Sequence, residues 1–223
     1  MRSNHLCQLA SDFRGDMPSD GMLFQEKRDG WRALLLRDWK GRPGLFTRNG
    51  MQIEGVGHIL YRLAEIERAA GEPVVFDGEF QVDGTLAATK AWCERGWKAG
   101  EEDGQLFLFD ALPLSAWEQG GDDMPLVDRL KRLRGWLDAA EADEWTWRPG
   151  SRGRDEALPP VVMLEDGWAF DEADVLAEAR RVWAAGGEGL MLKHALEPYR
   201  RNRNAAWQKA KRENMHKWMR RAA

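Results

Sequence analysis

The chain has 223 residues, 43% of them apolar and 31% charged, with a formal net charge of −4 at pH 7. That length predicts one full domain, with or without a small appendage, and the apolar share suffices for a core. No apolar run approaches the ~18 residues of a membrane span, and Met1-Arg2-Ser3-Asn4-His5 lacks the apolar stretch of a signal peptide, so no membrane partner is expected. Cys7 and Cys93 lie far apart and form no CxxC pair, which predicts reduced thiols in a cytoplasmic protein. Mild acidity argues against a general nucleic-acid binder. The charge is uneven, however: Arg200 to Arg221 is dense in Lys and Arg with Glu213 the only acid, whereas Glu101 to Asp128 carries acidic charges alone. A basic tail beside an acidic body can form a local phosphate-binding face.

In chain order, Met22 to Arg28 reads as a strand running into Asp29-Gly30, and Trp31 to Asp38 as a second. A turn at Lys40 to Gly44 precedes a third strand, Leu45 to Arg48. Ile59, Leu63 and Ile66 fall at helical spacing within Val56 to Ala70, closed by Gly71 and Pro73. Strands follow at Val74 to Val82 and Gln105 to Leu112, with a helix between them at Ala87 to Trp97. Asp122 to Pro125 opens a helix with Leu126, Leu130, Leu133 and Leu137 on one face. Val161 to Leu164 reads as a short strand, Asp171 to Ala185 as a helix with an acidic first turn, and Glu188 to Lys193 as a strand. Ala206 to Arg212 is the last strand, before a short basic helix. Arg148 to Arg154 and the surroundings of Gly120-Gly121 read as loops. There is no regular βαβ repeat, which predicts an α+β fold built on antiparallel sheets with flanking helices.

Four patterns bear on chemistry. Lys27-Arg28-Asp29-Gly30-Trp31-Arg32 has the form KxDGxR. A lysine nucleophile must first shed its proton, because an unperturbed amine has a pKa of about 10.4; burial or neighbouring positive charge is required, and Lys209, Lys211 or a bound metal could supply it. In Val74 to Phe80, alternation puts Asp77 and Glu79 on one strand face and Phe76 and Phe80 on the other, an arrangement suited to ribose hydroxyls or a divalent cation. Glu188 opens an otherwise apolar strand between two glycines. Lys209 and Lys211 share a face and repel each other unless an anion lies between them, as a triphosphate would. Each pattern alone also has an ordinary reading as strand edge, turn or solvated charge.

Their order and spacing resemble those of the ATP-dependent DNA ligases, within the covalent nucleotidyltransferases that include RNA ligases and mRNA capping enzymes. The resemblance runs from about Leu23 to Arg212: EKRDGWR, FTRNG at Phe46 to Gly50, VFDGEF, LFLFDAL at Leu106 to Leu112, EGLMLK and WQKAK. It implies a nucleotidyltransferase (ATP-grasp-like) domain that takes ATP with Mg²⁺ or Mn²⁺, carries AMP on Lys27 and seals nicked double-stranded DNA, in DNA replication, repair or recombination. It further implies that Gln25, where the family often has a glutamate reading the adenine amine, lies at the base, and that Phe109 stacks on it with Asp110 beside it. Arg32 and Arg48 would contact the nucleotide or the DNA 5′-phosphate. Glu79 would hold ribose or metal and Glu188 metal, Arg203, Lys209 and Lys211 would bind phosphates, and Asp29 would position the 3′-hydroxyl at the nick. An RNA-end ligase or a non-catalytic nucleic-acid-binding relic are the alternatives.

Ligases of this kind usually continue past WxKxK into an OB-fold, and Arg212 to Ala223 is too short for a five-stranded barrel. A single adenylation domain over residues 1–223 is therefore expected, monomeric, with weak and salt-sensitive nick binding through the basic tail and Arg48 unless a DNA-clamping partner assists.

Overall fold

A computed structural model describes residues 5–95, 102–142 and 158–219. In chain order the elements are β1 (Leu9–Asp12), β2 (Met22–Glu26), β3 (Trp31–Arg37), β4 (Pro43–Thr47), β5 (Gln52–Ile53), α1 (Gly57–Ala70), β6 (Val74–Gln81) and α2 (Leu86–Arg95). They continue with β7 (Gln105–Pro113), α3 (Leu114–Glu118), β8 (Gly121–Asp122), α4 (Leu126–Ala142), β9 (Val161–Met163), β10 (Asp166–Ala169), α5 (Glu172–Ala184), β11 (Gly189–Lys193), β12 (Tyr199–Arg200) and β13 (Arg203–Lys211). A 3-10 helix, Arg212–Lys217, follows. The chain divides into two compact units: Met1–Asp29 with Gly120–Val127 and Leu164–Ala223, and Gly30–Gln119 with Asp128–Met163.

The first unit holds a five-stranded sheet in the order β1-β13-β11-β2-β10. Its pairs are antiparallel except β1 with β13, which run parallel. One face is apolar: Met22, Ala169, Leu190, Leu192 and Ala210 pack with Val175, Ala179 and Val182 of α5, and with Phe13 and Trp218. Asp171 caps α5, its Oδ1 accepting from Asp174 N at 2.8 Å. Strand alternation then sends Gln25, Met191 and Lys209, which lie in one row across the sheet, to the opposite face.

The second unit holds a six-stranded sheet in the order β5-β4-β3-β6-β7-β9, again antiparallel but for the parallel pair β7/β9. Ile59, Leu63 and Ile66 of α1, Trp92 of α2 and Leu133 of α4 pack on its Ala33, Leu35, Phe76, Phe80, Leu106 and Leu108. Burying each such side chain contributes about 1.5–3 kcal/mol. Gly71 closes α1 as predicted, in the left-handed conformation with φ 73°.

The α+β architecture of mostly antiparallel sheets agrees with the sequence reading, and the two parallel pairs are its addition. Other points differ. Gly121 is not in a loop but begins β8, which pairs with β12. The short basic helix expected at the C-terminal end is present as a 3-10 helix. Strands β1, β5 and β10 were not foreseen; they are short segments without an apolar run of their own, and the sheets recruit them. The stretch Arg148 to Arg154 lies outside the described residues.

Candidate active site

The KxDGxR motif straddles the two units: Lys27 and Asp29 end a segment of the first, and Gly30 and Arg32 begin the second. In the first unit, the Lys27 N–H donates to the Gly189 carbonyl at 2.8 Å, prolonging the β2/β11 ladder, and Gly189 pairs with Lys211 on its other side. Lys27 and Lys211 thus flank a residue without a side chain. Gly189 has φ +146°, and a Cβ there would lie 2.2 Å from the Ala210 carbonyl oxygen, so this close approach demands glycine.

Glu188, just before it, is shared by both lysines. Its Oε2 accepts from Lys27 Nζ, and its Oε1 lies 2.5 Å from Lys211 Nζ. Burial acts most strongly on the Glu188 carboxyl and pushes its pKa up, but hydrogen bonds from Lys211 and Lys27, with their charges, outweigh it and hold the group below its ordinary value. Lys211 is likewise raised: desolvation lowers its pKa, and the bonds to Glu188 and Glu213 more than reverse this. Lys209 faces a different carboxylate, with Asp12 Oδ1 at 3.4 Å. Lys209 and Lys211 are thus each met by a different carboxylate of the chain, and the anion shared by two lysines lies between Lys27 and Lys211. Asn214, which sequence reading missed, fixes the backbone here: its Oδ1 accepts from Lys211 N at 2.8 Å and its Nδ2 donates to Lys209 O at 2.9 Å.

Gln25, two residues before Lys27, is fully buried. Its Oε1 accepts from Lys193 Nζ at 2.6 Å. Lys193 is 1% exposed, and its ammonium sits 4.3 Å from the Trp207 ring centroid. Lys193 ends the EGLMLK pattern and carried no sequence assignment; a lysine closing an otherwise apolar strand was the available signal.

In the second unit, Gly30 immediately precedes β3, which pairs with β6 from Trp31 onward. A Cβ on Gly30 would meet the Phe80 carbonyl oxygen at 2.4 Å, and its N–H donates to Glu79 Oε1 at 3.1 Å. Arg32 donates to Asp77 from Nε at 2.8 Å and Nη2 at 2.5 Å, and its guanidinium carbon lies 5.1 Å from the Phe109 ring centroid. Asp77 is thus a partner of Arg32 rather than a second carboxylate for ribose or metal. Phe109 is the extra residue of a β-bulge, since Asp77 pairs with Asp110 and Gly78 with Leu108; bulges re-aim side chains in this way. Asp110 does not lie open beside Phe109 but forms a fully buried bidentate pair with Arg129 at 2.9 and 2.8 Å. Arg48 is exposed on the turn in which Gly50 N donates to Thr47 O at 2.8 Å, and Asp29 is exposed.

Among the described residues, the basic tail is mostly engaged within the molecule. Arg203 donates to the Ala10 carbonyl, and Arg200 pairs with Asp123. Lys217 pairs with Asp12 at 2.5 Å, and Arg212 sits 5.7 Å from the Trp183 ring. Leu9 pairs with Arg203 and Asp12 with Lys209, which separates Arg203 from the lysine cluster by about 10 Å along β1. Among the described residues no three His, Cys, Asp or Glu side chains converge as a metal site. Mg²⁺ often takes only one or two carboxylates alongside substrate phosphates, so Glu188 fits a cation held mainly by phosphate oxygens and not a protein cage.

A lysine at a strand end, a shared carboxylate and a second lysine across the sheet coincide with a family match. The model for the ATP dependent DNA ligase domain covers residues 5–211. The chain belongs to that family. No curated protein matches this ligase-family chain. Among solved structures, the one named Pmar-Lig_PreS3 has a TM-score of 0.71 at 21% identity, covering 92% of this chain and 46% of its own. The ligase-family chain thus spans about half the length of that relative. The ATP-dependent DNA ligase from bacteriophage T7, in complex with ATP, has a TM-score of 0.67 at 17% identity, with 96% and 70% covered. Chlorella virus DNA ligase-adenylate has a TM-score of 0.63 at 17% identity, with 92% and 68% covered. These likenesses establish the fold as that of a ligase nucleotidyltransferase domain. Among the described residues, no helix is long and apolar enough to cross a membrane.

Proposed function

We propose that this domain transfers adenylate from ATP to Lys27 and from there to the 5′-phosphate of nicked double-stranded DNA, on which the 3′-hydroxyl then closes the phosphodiester bond. The observation that carries this reading is the Glu188 carboxylate shared between Lys27 and Lys211. It marks a place where a chain anion already lies between two ammonium groups, and where phosphate oxygens of a nucleotide can substitute for it. Lys211 and Lys209 then turn from their carboxylates to the phosphates, and Lys27, released from Glu188 and deprotonated, attacks the α-phosphorus in line. The P–N bond forms as the bond to pyrophosphate breaks. A divalent cation, Mg²⁺ or Mn²⁺, would take Glu188 as its protein ligand and neutralise phosphate charge when bound.

Phe109, aimed by its bulge, supplies the stacking surface for the adenine, and Glu79 the acceptor for a ribose hydroxyl. Arg32, held by Asp77, is pre-oriented for a phosphate. Arg48 and Asp29 are solvent-facing and suit contact with the DNA at the nick. Incubation with ATP and Mg²⁺ followed by intact-protein mass measurement is expected to show one added adenylate, absent in Lys27→Ala. No gain, even with pyrophosphatase present, refutes self-adenylation. Sealing of nicked DNA against nicked RNA separates the ligase readings.

A further inference from the structure

We propose that Gln25 reads the purine ring with a hydrogen-bond donor, so that this domain takes 6-oxopurine nucleoside triphosphates, with guanine or hypoxanthine as base, as well as ATP. The inference rests on the lysyl-nucleotide chemistry proposed above. The Gln25 side chain is fully buried, and among the described residues its Nε2 has no hydrogen-bond partner. Orphan buried donors are rare and call for a ligand or another explanation.

The orientation of this amide is chemically determined. An ammonium group only donates, so the oxygen of Gln25 must face Lys193, at 2.6 Å, and the nitrogen must face away. The ammonium is itself held 4.3 Å from the Trp207 ring, and Lys193 is 1% exposed.

The position suits a base. Gln25 and Lys27 occupy alternate positions on a ladder that extends to Lys27. They project from one sheet face about 7 Å apart, a span comparable to that from an α-phosphate across ribose to the purine. At C6, adenine carries an amine, which donates; a 6-oxopurine carries a carbonyl, which accepts. At the C6 edge an amide nitrogen can donate to adenine only at a ring nitrogen, N1 or N7, with the amine beside it a competing donor, whereas it meets the oxygen of a 6-oxopurine directly. A carboxylate at this position would favour the amine instead. The base takes no part in bond making: with either purine, Lys27 Nζ bonds the α-phosphorus, pyrophosphate leaves, and the amine proton passes to solvent.

The test uses the full chain with Mg²⁺ and ATP, GTP or ITP, each adduct being resolved by intact mass. GTP or ITP is expected to label at an initial rate within about tenfold of ATP, and Gln25→Glu, which replaces the outward-facing Nε2 donor with an acceptor, to lower the ITP-to-ATP ratio by about tenfold or more. Should Gln25→Glu not fold, Lys193→Met frees the amide to rotate and is expected to move the ratio the same way. A wild-type preference for ATP above about a hundredfold, or a ratio unchanged in the variant, overturns the donor reading while leaving adenylation intact. Absence of any adduct from all three nucleotides overturns both.

Discussion

Glu188→Gln removes the charge of the shared carboxylate and keeps its shape. In the wild type, Lys211 Nζ lies 2.5 Å from Oε1 and Lys27 bonds Oε2. Two ammonium groups straddling one carboxylate are roughly 6 Å apart, and at an effective dielectric of about 20 their bare repulsion is about 3 kcal/mol. The side chains of Lys27, Glu188 and Lys211 are 23%, 21% and 21% exposed. Both lysines can therefore swing toward water, which reduces the expected loss to about 1–2 kcal/mol. For a chain of this size that is a fall in Tm of about 2–8 °C. Near-UV circular dichroism melts of both proteins from pH 3 to pH 8 give the measurement. The sign follows from linkage. The folded Glu188 carboxyl lies below its ordinary value, so its contribution is present above the unfolded value near 4.3 and fades as pH falls through the folded one. The difference between variant and wild type should thus be full at pH 7 and shrink below about pH 4. A Tm difference under about 1 °C at pH 7, or one as large at pH 3 as at pH 7, refutes the reasoning.

Breaking the buried Asp110–Arg129 pair with Asp110→Ala should cost about 3–5 kcal/mol by stranding a buried guanidinium, read as a lower denaturant midpoint at constant m. The double replacement Asp110→Leu with Arg129→Met should recover most of that, and a single-variant loss below about 1 kcal/mol contradicts it. Burial, with Glu94 nearby, pushes the Cys93 thiol up to about 11, and Cys7 and Cys93 are both buried. Native protein at pH 8 should resist thiol-reactive reagents until denaturant is added; rapid labelling of the native protein would contradict this.

Much of the fold was legible because turn and period signals are local. The spacing of Ile59, Leu63 and Ile66 fixed α1, and all three are buried. The glycines of the motifs have steric causes visible only in three dimensions: Gly30 for the Phe80 carbonyl and Gly189 for the Ala210 carbonyl. Alternation placed Lys209 and Lys211 on one face but not their partners, since Asp12 comes from a strand nearly two hundred residues away in sequence. For the same reason the basic tail read as free charge, whereas Asp12, Glu188 and two backbone carbonyls engage much of it. Asp77, paired with Arg32, and Asp110, paired with Arg129, were similarly illegible, because a carboxylate's partner is a tertiary fact.

The bulge at Phe109 changes the rhythm of its strand. Before it, Leu106 and Leu108 enter the core; after it, Ala111 does, so the inward-facing positions pass from even to odd numbers. Phe109 is in this sense a supernumerary letter. Deleting it would restore a continuous two-residue beat along β7, with the same apolar side chains still facing Phe76, Gly78 and Phe80 of β6. The aromatic ring can therefore be lost or gained without rewriting the apolar pairing of β6 with β7.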